Sequence, residues 1–263
     1  MKKIVLALTS SLCFVGAALA KESGGGNKGI NSDFTTGVVF PSMNSAIFEN
    51  PSGLKELSQR RIELGFFRGA GGFSGGNGSV VAKTGPVGWG ADLRRVNSST
   101  DQVRAGIGFP LVGNSALGIG YGYGFGSGSL GFSAGLRSAI SGKMVVGLFF
   151  ESLENFPGNW TLGFGSPVTS QVNFGFDFEF MGASGSFEPQ QIQVVPCLVF
   201  SAEKKISVKI GFDFGVYPNV DLALGTPALG ISYWPNDKIG IFFNWNERGL
   251  VGADTYVFGL KLL

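Results

Sequence analysis

Few side chains in this 263-residue chain are suited to catalysis, because it contains no histidine. That absence excludes histidine-dependent acid–base catalysis, a Ser-His-Asp triad and the usual histidine-containing zinc sites. Two carboxylates, Asp177 and Glu179, lie two residues apart, about 6.6 Å along an extended strand, a spacing that a glycosidase could use. The polar lining of a water-facing surface explains the pair more simply. We therefore expect no enzyme activity, no bound metal and no cofactor.

A glycine stripe is the second pattern with both a chemical and a structural interpretation. In GIGYGYGFG every second residue from Gly118 to Gly126 is glycine, and these glycines share one face. No helix follows and no GxxxxGK[ST] run is present, so a phosphate-binding loop is not indicated. Glycine weakens a strand, so the stripe indicates either the close approach of another backbone, from the N-terminal segment or a neighbouring protomer, or only strong curvature. Cys197, in QIQVVPCLVF, is expected to be a packed small side chain.

The element that must position all of these residues is a β-strand with two unlike faces. Residues 171–180 alternate without error between apolar and polar or small side chains, and 206–216 repeat the pattern. Ten residues of strand are about 33 Å long and span about 25 Å of height at a tilt near 40°, which matches the apolar band of an outer-membrane barrel.

The two faces receive separate assignments. Lipid-facing side chains are expected at Phe174, Phe176, Phe178, Phe180, Ile210, Phe212 and Phe214. Lumen-facing side chains are expected at Asp92, Arg94, Arg104, Arg137, Glu151, Asp177, Glu179, Lys209 and Asp213. Aromatic residues of the membrane interfaces are expected at Trp89, Trp160, Tyr233, Trp234 and Trp245.

The predicted fold is all-β, a transmembrane antiparallel β-barrel of the bacterial outer membrane with fourteen strands, or twelve as the rival count. The strands are predicted near 61–69, 78–84, 87–95, 102–110, 115–126, 129–138, 143–152, 159–165, 171–180, 190–200, 206–217, 228–234, 238–246 and 255–263. An even number places both ends of the barrel on the periplasmic side, together with its short turns.

The ends and the composition indicate export. Lys2 and Lys3, the apolar stretch from Ile4 to Ala18 and the small residues before Lys21 make residues 1–20 a secretory signal peptide, cleaved near Ala20. Without the signal, 18 basic residues balance 18 acidic ones, which argues against nucleic acid as a partner. Only 14% of residues are charged, a deficit that lipid contact explains.

Residues 21–60 are expected to form a flexible start and a hatch or periplasmic segment, followed by the barrel at 61–263. The segment SAIFENPSGLKEL, Ser45 to Leu57, and the strand opening RIELGFF resemble the FadL family of outer-membrane transporters for fatty acids and other hydrophobic compounds, to which PorV-like barrels are related. In that family an Asn-Pro-Ala-Gly motif lies in an N-terminal hatch that plugs a fourteen-stranded barrel. The resemblance implies a hatch motif at Asn50, Pro51, Ser52, Gly53 and Leu54.

Two functions fit these observations. The first is an outer-membrane channel, porin-like or FadL-like, that passes small or hydrophobic molecules. The alternative is a structural, non-conducting barrel that forms oligomers and packs against lipid or other envelope proteins. The expected partners are outer-membrane lipid, hydrophobic small molecules, further copies of the chain and the barrel-assembly machinery.

Overall fold

The protein is a closed antiparallel barrel of fourteen strands, each paired with its neighbours in the chain and the last paired with the first. The computed structural model describes residues 46–69, 74–96, 100–125, 130–141, 144–153, 159–182, 189–202, 205–217, 226–246 and 255–263. The predicted signal peptide and the flexible start up to residue 45 lie outside these residues. The prediction of fourteen antiparallel strands is confirmed, and the rival count of twelve is wrong.

In the described part of the chain, two short helices precede the strands, α1 (Ala46–Glu49) and a 3-10 helix (Pro51–Glu56). The strands are β1 (Arg61–Gly69), β2 (Ser74–Thr84), β3 (Val87–Val96), β4 (Thr100–Pro110), β5 (Ser115–Gly124), β6 (Leu130–Ser141), β7 (Met144–Leu153), β8 (Asn159–Pro167), β9 (Val172–Gly182), β10 (Pro189–Ala202), β11 (Ile206–Tyr217), β12 (Thr226–Tyr233), β13 (Ile239–Asn246) and β14 (Thr255–Leu262).

Burial alternates along the strands with a period of two. In β1, Glu63, Gly65 and Phe67 are buried while Leu64 and Phe66 are exposed, and Phe66 keeps 70% of its surface. The buried positions point into the barrel, and the exposed ones form its apolar outer wall. A soluble protein would cover such a wall, whereas lipid covers it in an outer-membrane barrel.

The hairpin turns at one end of the barrel are short. Two of them require a left-handed residue, and glycine supplies it at Gly85 (φ 59°) and Gly113 (φ 67°). The chain enters β1 and leaves β14 at this same end, which we call the turn end. The opposite end is called the loop end.

The second strand begins at Ser74 rather than at residue 78 as predicted, because residues 74–77 also pair with β1. In β10, the pairing with β11 passes from Val194–Phe214 directly to Cys197–Gly211. Pro196 lies in this interval, and proline has no backbone N–H to donate to a ladder.

Among the described residues, no helix has the length and apolar character needed to cross a membrane.

Candidate functional site at the inner segment

The segment Ala46–Leu57, here called the inner segment, lies inside the barrel and packs against β2 to β6. Asn50 starts its 3-10 helix as the N-cap and is completely buried. The Asn50 Oδ1 atom accepts hydrogen bonds from the backbone N–H of Ser52 (3.1 Å) and from its hydroxyl (2.6 Å). Pro51 fits the first helical position because its missing N–H would have no helical partner there. The sequence Asn-Pro-Ser therefore specifies the helix start locally.

A small apolar core holds the inner segment to the wall. Ala46, Ile47, Leu54 and Leu57 are buried together with Val81 of β2. Burying a leucine or isoleucine side chain contributes about 1.5–3 kcal/mol, so this cluster favours the docked position. Glycine at position 90 leaves the room that the Ile47 side chain occupies.

A row of four inward-facing glycines forms a cradle for the inner segment. The cradle consists of Gly88, Gly108, Gly118 and Gly135, one from each of β3 to β6, and successive members are direct register partners.

A β-carbon on any cradle glycine would overlap the inner segment. A β-carbon on Gly88 would overlap the carbonyl oxygen of Leu54, and one on Gly108 would overlap that of Pro51. A β-carbon on Gly118 would overlap the backbone nitrogen of Ser52, and one on Gly135 would overlap the side chain of Asn50. Backbone atoms cannot rotate away, so only glycine permits this close approach. Of the explanations that the sequence left open for the glycine stripe, the close approach of the N-terminal segment is observed at Gly118.

Polar contacts fasten both ends of the 3-10 helix. The amide Nδ2 of Asn50 donates to the carbonyl oxygen of Leu136 at 3.5 Å, and Arg137 donates to the carboxylate of Glu56. The predicted lumen residue Arg137 therefore pairs with the inner segment. All these contacts lie near the turn end, so the inner segment covers the β2–β6 side of that end.

The opposite side of the turn end is covered by a second group of side chains. Trp234 packs over Gly240, and the guanidinium of Arg61 lies 4.9 Å from the centre of its ring. Lys261 donates to the hydroxyl of Ser232 at 3.1 Å and lies 4.0 Å from the carboxylate of Glu63. Trp234 was expected among the membrane-interface aromatics, but it lies on the inner side because Gly240 leaves space for its ring.

Charged side chains fill the middle of the barrel in opposite-sign pairs. Arg94, only 1% exposed, lies 3.9 Å from the carboxylate of Asp92, which also accepts from the amide of Asn77 at 3.3 Å. Arg104 and Glu151, predicted for the lumen, form an ion pair across β4 and β7 at 2.9 Å. Two pairs of opposite sign leave little net field for selecting ions.

The remaining predicted residues also separate by face. Asp177 and Lys209 are buried on the inner side, and Glu179 shares that side of β9 with partial exposure. Phe174, Ile210 and Phe212 are exposed on the outer wall, and Phe176, Phe178 and Phe180 lie on the same outer side of β9. Asp213 and Phe214 belong to β11, but their side chains lie outside the described part. Cys197 is buried and faces inward.

Within the described ranges, no group of three or more cysteine, aspartate or glutamate side chains could hold a metal ion. The carboxylate of Glu56 pairs with Arg137, and that of Glu63 lies within 4.0 Å of Arg61 and Lys261. What the geometry offers is a folded segment held by a form-fitting wall at one end of a barrel.

Replacing Asn50 by alanine is expected to loosen the inner segment. The change removes the helix cap and leaves buried donors without their acceptor, at a cost of about 1–3 kcal/mol. Trypsin cleavage after Lys55 in the folded barrel measures the loosening and should become several-fold faster. Ser58→Ala, at an exposed position of the same region, is the matched control. Equal cleavage rates in the two variants would contradict the role of the cap.

Sequence reasoning missed most of the cradle. It identified Gly118 but not its partners Gly88, Gly108 and Gly135. No local pattern links the four glycines, because only the register of β3 to β6 brings them into one row. The Arg61–Trp234 contact likewise had no local signal.

Comparison with known proteins adds structural likeness only. No family model and no curated protein matches the chain in sequence. Among solved structures, the toluene transporter TbuX of Ralstonia pickettii superposes with a TM-score of 0.62 at 12% identity, covering 90% of this chain and 99% of that one. The CymD monoaromatic hydrocarbon channel gives 0.62 at 10% identity, with 95% and 97% covered.

The Pseudomonas putida toluene transporter TodX gives a TM-score of 0.57 at 11% identity, with 86% of this chain and 96% of that chain covered. All three are named as channels or transporters. At these identities the likeness establishes the fold, which is that of outer-membrane β-barrels.

Proposed function

We propose that this chain is an outer-membrane channel that passes small or hydrophobic molecules and that the inner segment is its hatch. The observation that carries the proposal is the inner segment seated on the glycine cradle inside a closed barrel. Four inner-face glycines in register serve no strand-forming purpose, since glycine weakens strands. Their placement favours a segment that must fit the wall closely and close the turn end.

The location follows from the same features. An N-terminal signal cleaved near Ala20 would export the chain, and the barrel-assembly machinery would insert it. The exposed apolar wall supports insertion into lipid. With an even strand number both ends of the barrel domain lie at the turn end, and short turns face the periplasm in bacterial barrels, which supports a hatch on the periplasmic side.

The substrate class is the finer part of the proposal. TbuX, TodX and CymD are named for toluene and monoaromatic hydrocarbons, and their fold likeness favours small apolar molecules here. A balanced interior charge supports an uncharged solute over an ion. Uptake of a radiolabelled monoaromatic hydrocarbon by cells that express the chain, compared with cells that express the Asp33–Arg60 deletion, tests this class.

Ion conductance in planar bilayers tests the hatch. The mature chain is expected to conduct weakly, and deletion of Asp33–Arg60 is expected to produce steady current steps several-fold larger, because the turn end loses its cover. Current steps of equal size from both proteins would contradict the role of the inner segment as a hatch.

A second candidate is the structural, non-conducting barrel, and one observation favours it. Inner side chains such as Arg94, Glu63 and Lys261 are 1–2% exposed, so protein atoms rather than water surround them. An interior filled in this way would stay closed without the hatch. Silence from the well-folded deletion variant, together with crosslinked oligomers in native membranes, would favour this function.

A further inference from the structure

The outer wall of the barrel carries almost no charge. Among the strand residues whose side chains are described, outward-pointing side chains are uncharged except for two arginines. These are Arg68 in β1 and Arg95 in β3, both exposed and both close to the loop end. A guanidinium on a lipid-facing wall is costly unless it reaches the headgroup region or an anionic partner.

The two arginines lie on the same patch of wall. Arg68 is the register partner of Ser74, and Arg95 is the register partner of Gly76, so only β2 separates them. Two strand spacings and an offset of two residues put their α-carbons about 12 Å apart. Ser74 and Gly76 are small, so no bulky side chain of β2 stands between the two guanidinium groups.

Neighbouring aromatics place this patch at a membrane interface. Arg68 is the register partner of Tyr256 on β14, and Tyr256 is in turn the partner of Trp245 on β13. Tyrosine and tryptophan mark the level of the lipid headgroups on outer-membrane barrels. The guanidinium groups therefore lie where lipid phosphates lie.

We propose that Arg68 and Arg95 bind the phosphate of an outer-leaflet lipid headgroup, with its acyl chains against the apolar wall below. Arginine matches phosphate with paired N–H donors and is well suited to a partly dehydrated site. Position 101, an aspartate, is the register partner of Arg95. Counted together, residues 68, 95 and 101 still carry a net charge of +1. The choice of the outer leaflet rests on the proposed orientation of the barrel in the outer membrane.

Lipid binding by the purified mature chain in detergent micelles tests the site. The probe is radiolabelled lipid A with both phosphates, compared with the same lipid after removal of the phosphates. The R68Q/R95Q double variant is expected to bind the phosphorylated lipid about tenfold more weakly than the wild type. Removal of the phosphates should weaken wild-type binding by a similar factor and should change binding to the double variant little.

Arg60→Gln removes one positive charge by the same substitution at an exposed position before β1, at the turn end, and should leave lipid binding unchanged. Heat-modifiable electrophoretic mobility verifies that each variant is folded. Equal binding by the wild type and the double variant would overturn the proposal, as would equal binding of the two lipids. Displacement of the lipid by millimolar inorganic phosphate would also overturn it, since the site would then bind a free anion. Lipid binding is measured independently of conductance. The lipid-site proposal can therefore fail while the channel function stands, and the channel function can fail while the lipid site stands.

Discussion

Gly108→Ala is expected to unseat the inner segment and open the barrel, whereas Gly106→Ala is expected to leave it closed. Both glycines face inward on β4, one inner position apart. A β-carbon on Gly108 would overlap the carbonyl oxygen of Pro51, while one on Gly106 would come no closer than 3.3 Å to the side chain of Leu54. A flexible side chain can yield at that distance, but a helix backbone cannot.

The two variants should differ mainly in the free energy of docking the inner segment, because the effect of the added methyl group on the strand itself is the same in both. Both substitutions replace glycine by alanine in a strand, which is neutral or mildly stabilising for the strand itself. Overpacking against a fixed backbone costs about 1–3 kcal/mol or more, comparable to the burial energy of one apolar anchor of the inner segment. Gly108→Ala should therefore shift the equilibrium towards an undocked inner segment without unfolding the barrel.

Two readouts check this expectation separately. Trypsin cleavage after Lys55 reports undocking, and conductance in planar bilayers reports an open passage. Faster cleavage with larger current steps in Gly108→Ala alone is the expected result. Faster cleavage without current would indicate that the packed interior closes the barrel by itself. Identical behaviour of the two alanine variants would mean that the glycine row serves curvature and not the hatch.

Phe176→Arg is expected to block barrel assembly, while Asp177→Asn is expected to permit it. Phe176 lies near the middle of β9 on the outer wall, with its ring 5.4 Å from that of Phe178 and 5.5 Å from that of Phe164. Asp177, the next residue, is 3% exposed and points inward. An arginine on the lipid face costs about 2–4 kcal/mol near the bilayer midplane, whereas an amide fits the inner side without change of size.

Folding into lipid vesicles, titrated with urea and followed by heat-modifiable mobility, measures the difference. The folding equilibrium of Phe176→Arg should fall by roughly 30-fold to 1000-fold, the factor that 2–4 kcal/mol implies. Phe176→Ala separates the lost aromatic packing from the added charge, and it should lie between the arginine variant and the wild type. Equal folding of the arginine and asparagine variants would mean that the two faces are assigned the wrong way round.

The predicted strand faces followed from local information. A side chain's face depends only on whether its position is odd or even along a strand, so residues 171–180 indicated both faces without knowledge of the strand's neighbours. The predicted strand limits were less accurate where glycine replaced the alternating apolar residues, as at the start of β2 at Ser74. There the signal vanished even though the backbone still paired with β1.

Contacts between distant parts of the chain could be predicted from the sequence only in part. Asn50 and Leu136 are 86 positions apart, and no local pattern brings them together. The glycine stripe indicated that some backbone approaches the wall, but the N-terminal segment, a neighbouring protomer and simple curvature remained equivalent explanations. Only the register of β3 to β6 united Gly118 with the other cradle glycines.

The sequence by itself determined a two-faced antiparallel chain of fourteen strands, with twelve as the rival count, because strand periodicity and turn residues are local properties. The tertiary structure decided what fills the barrel: the inner segment on the cradle, Trp234 over Gly240, and the inner charges in pairs. The physical reason is that closure of the barrel brings the inward-facing side chains of strands that are distant in sequence into one shared interior. Side-chain volumes and charges must then match across strands far apart in sequence, and this matching has no period along the chain.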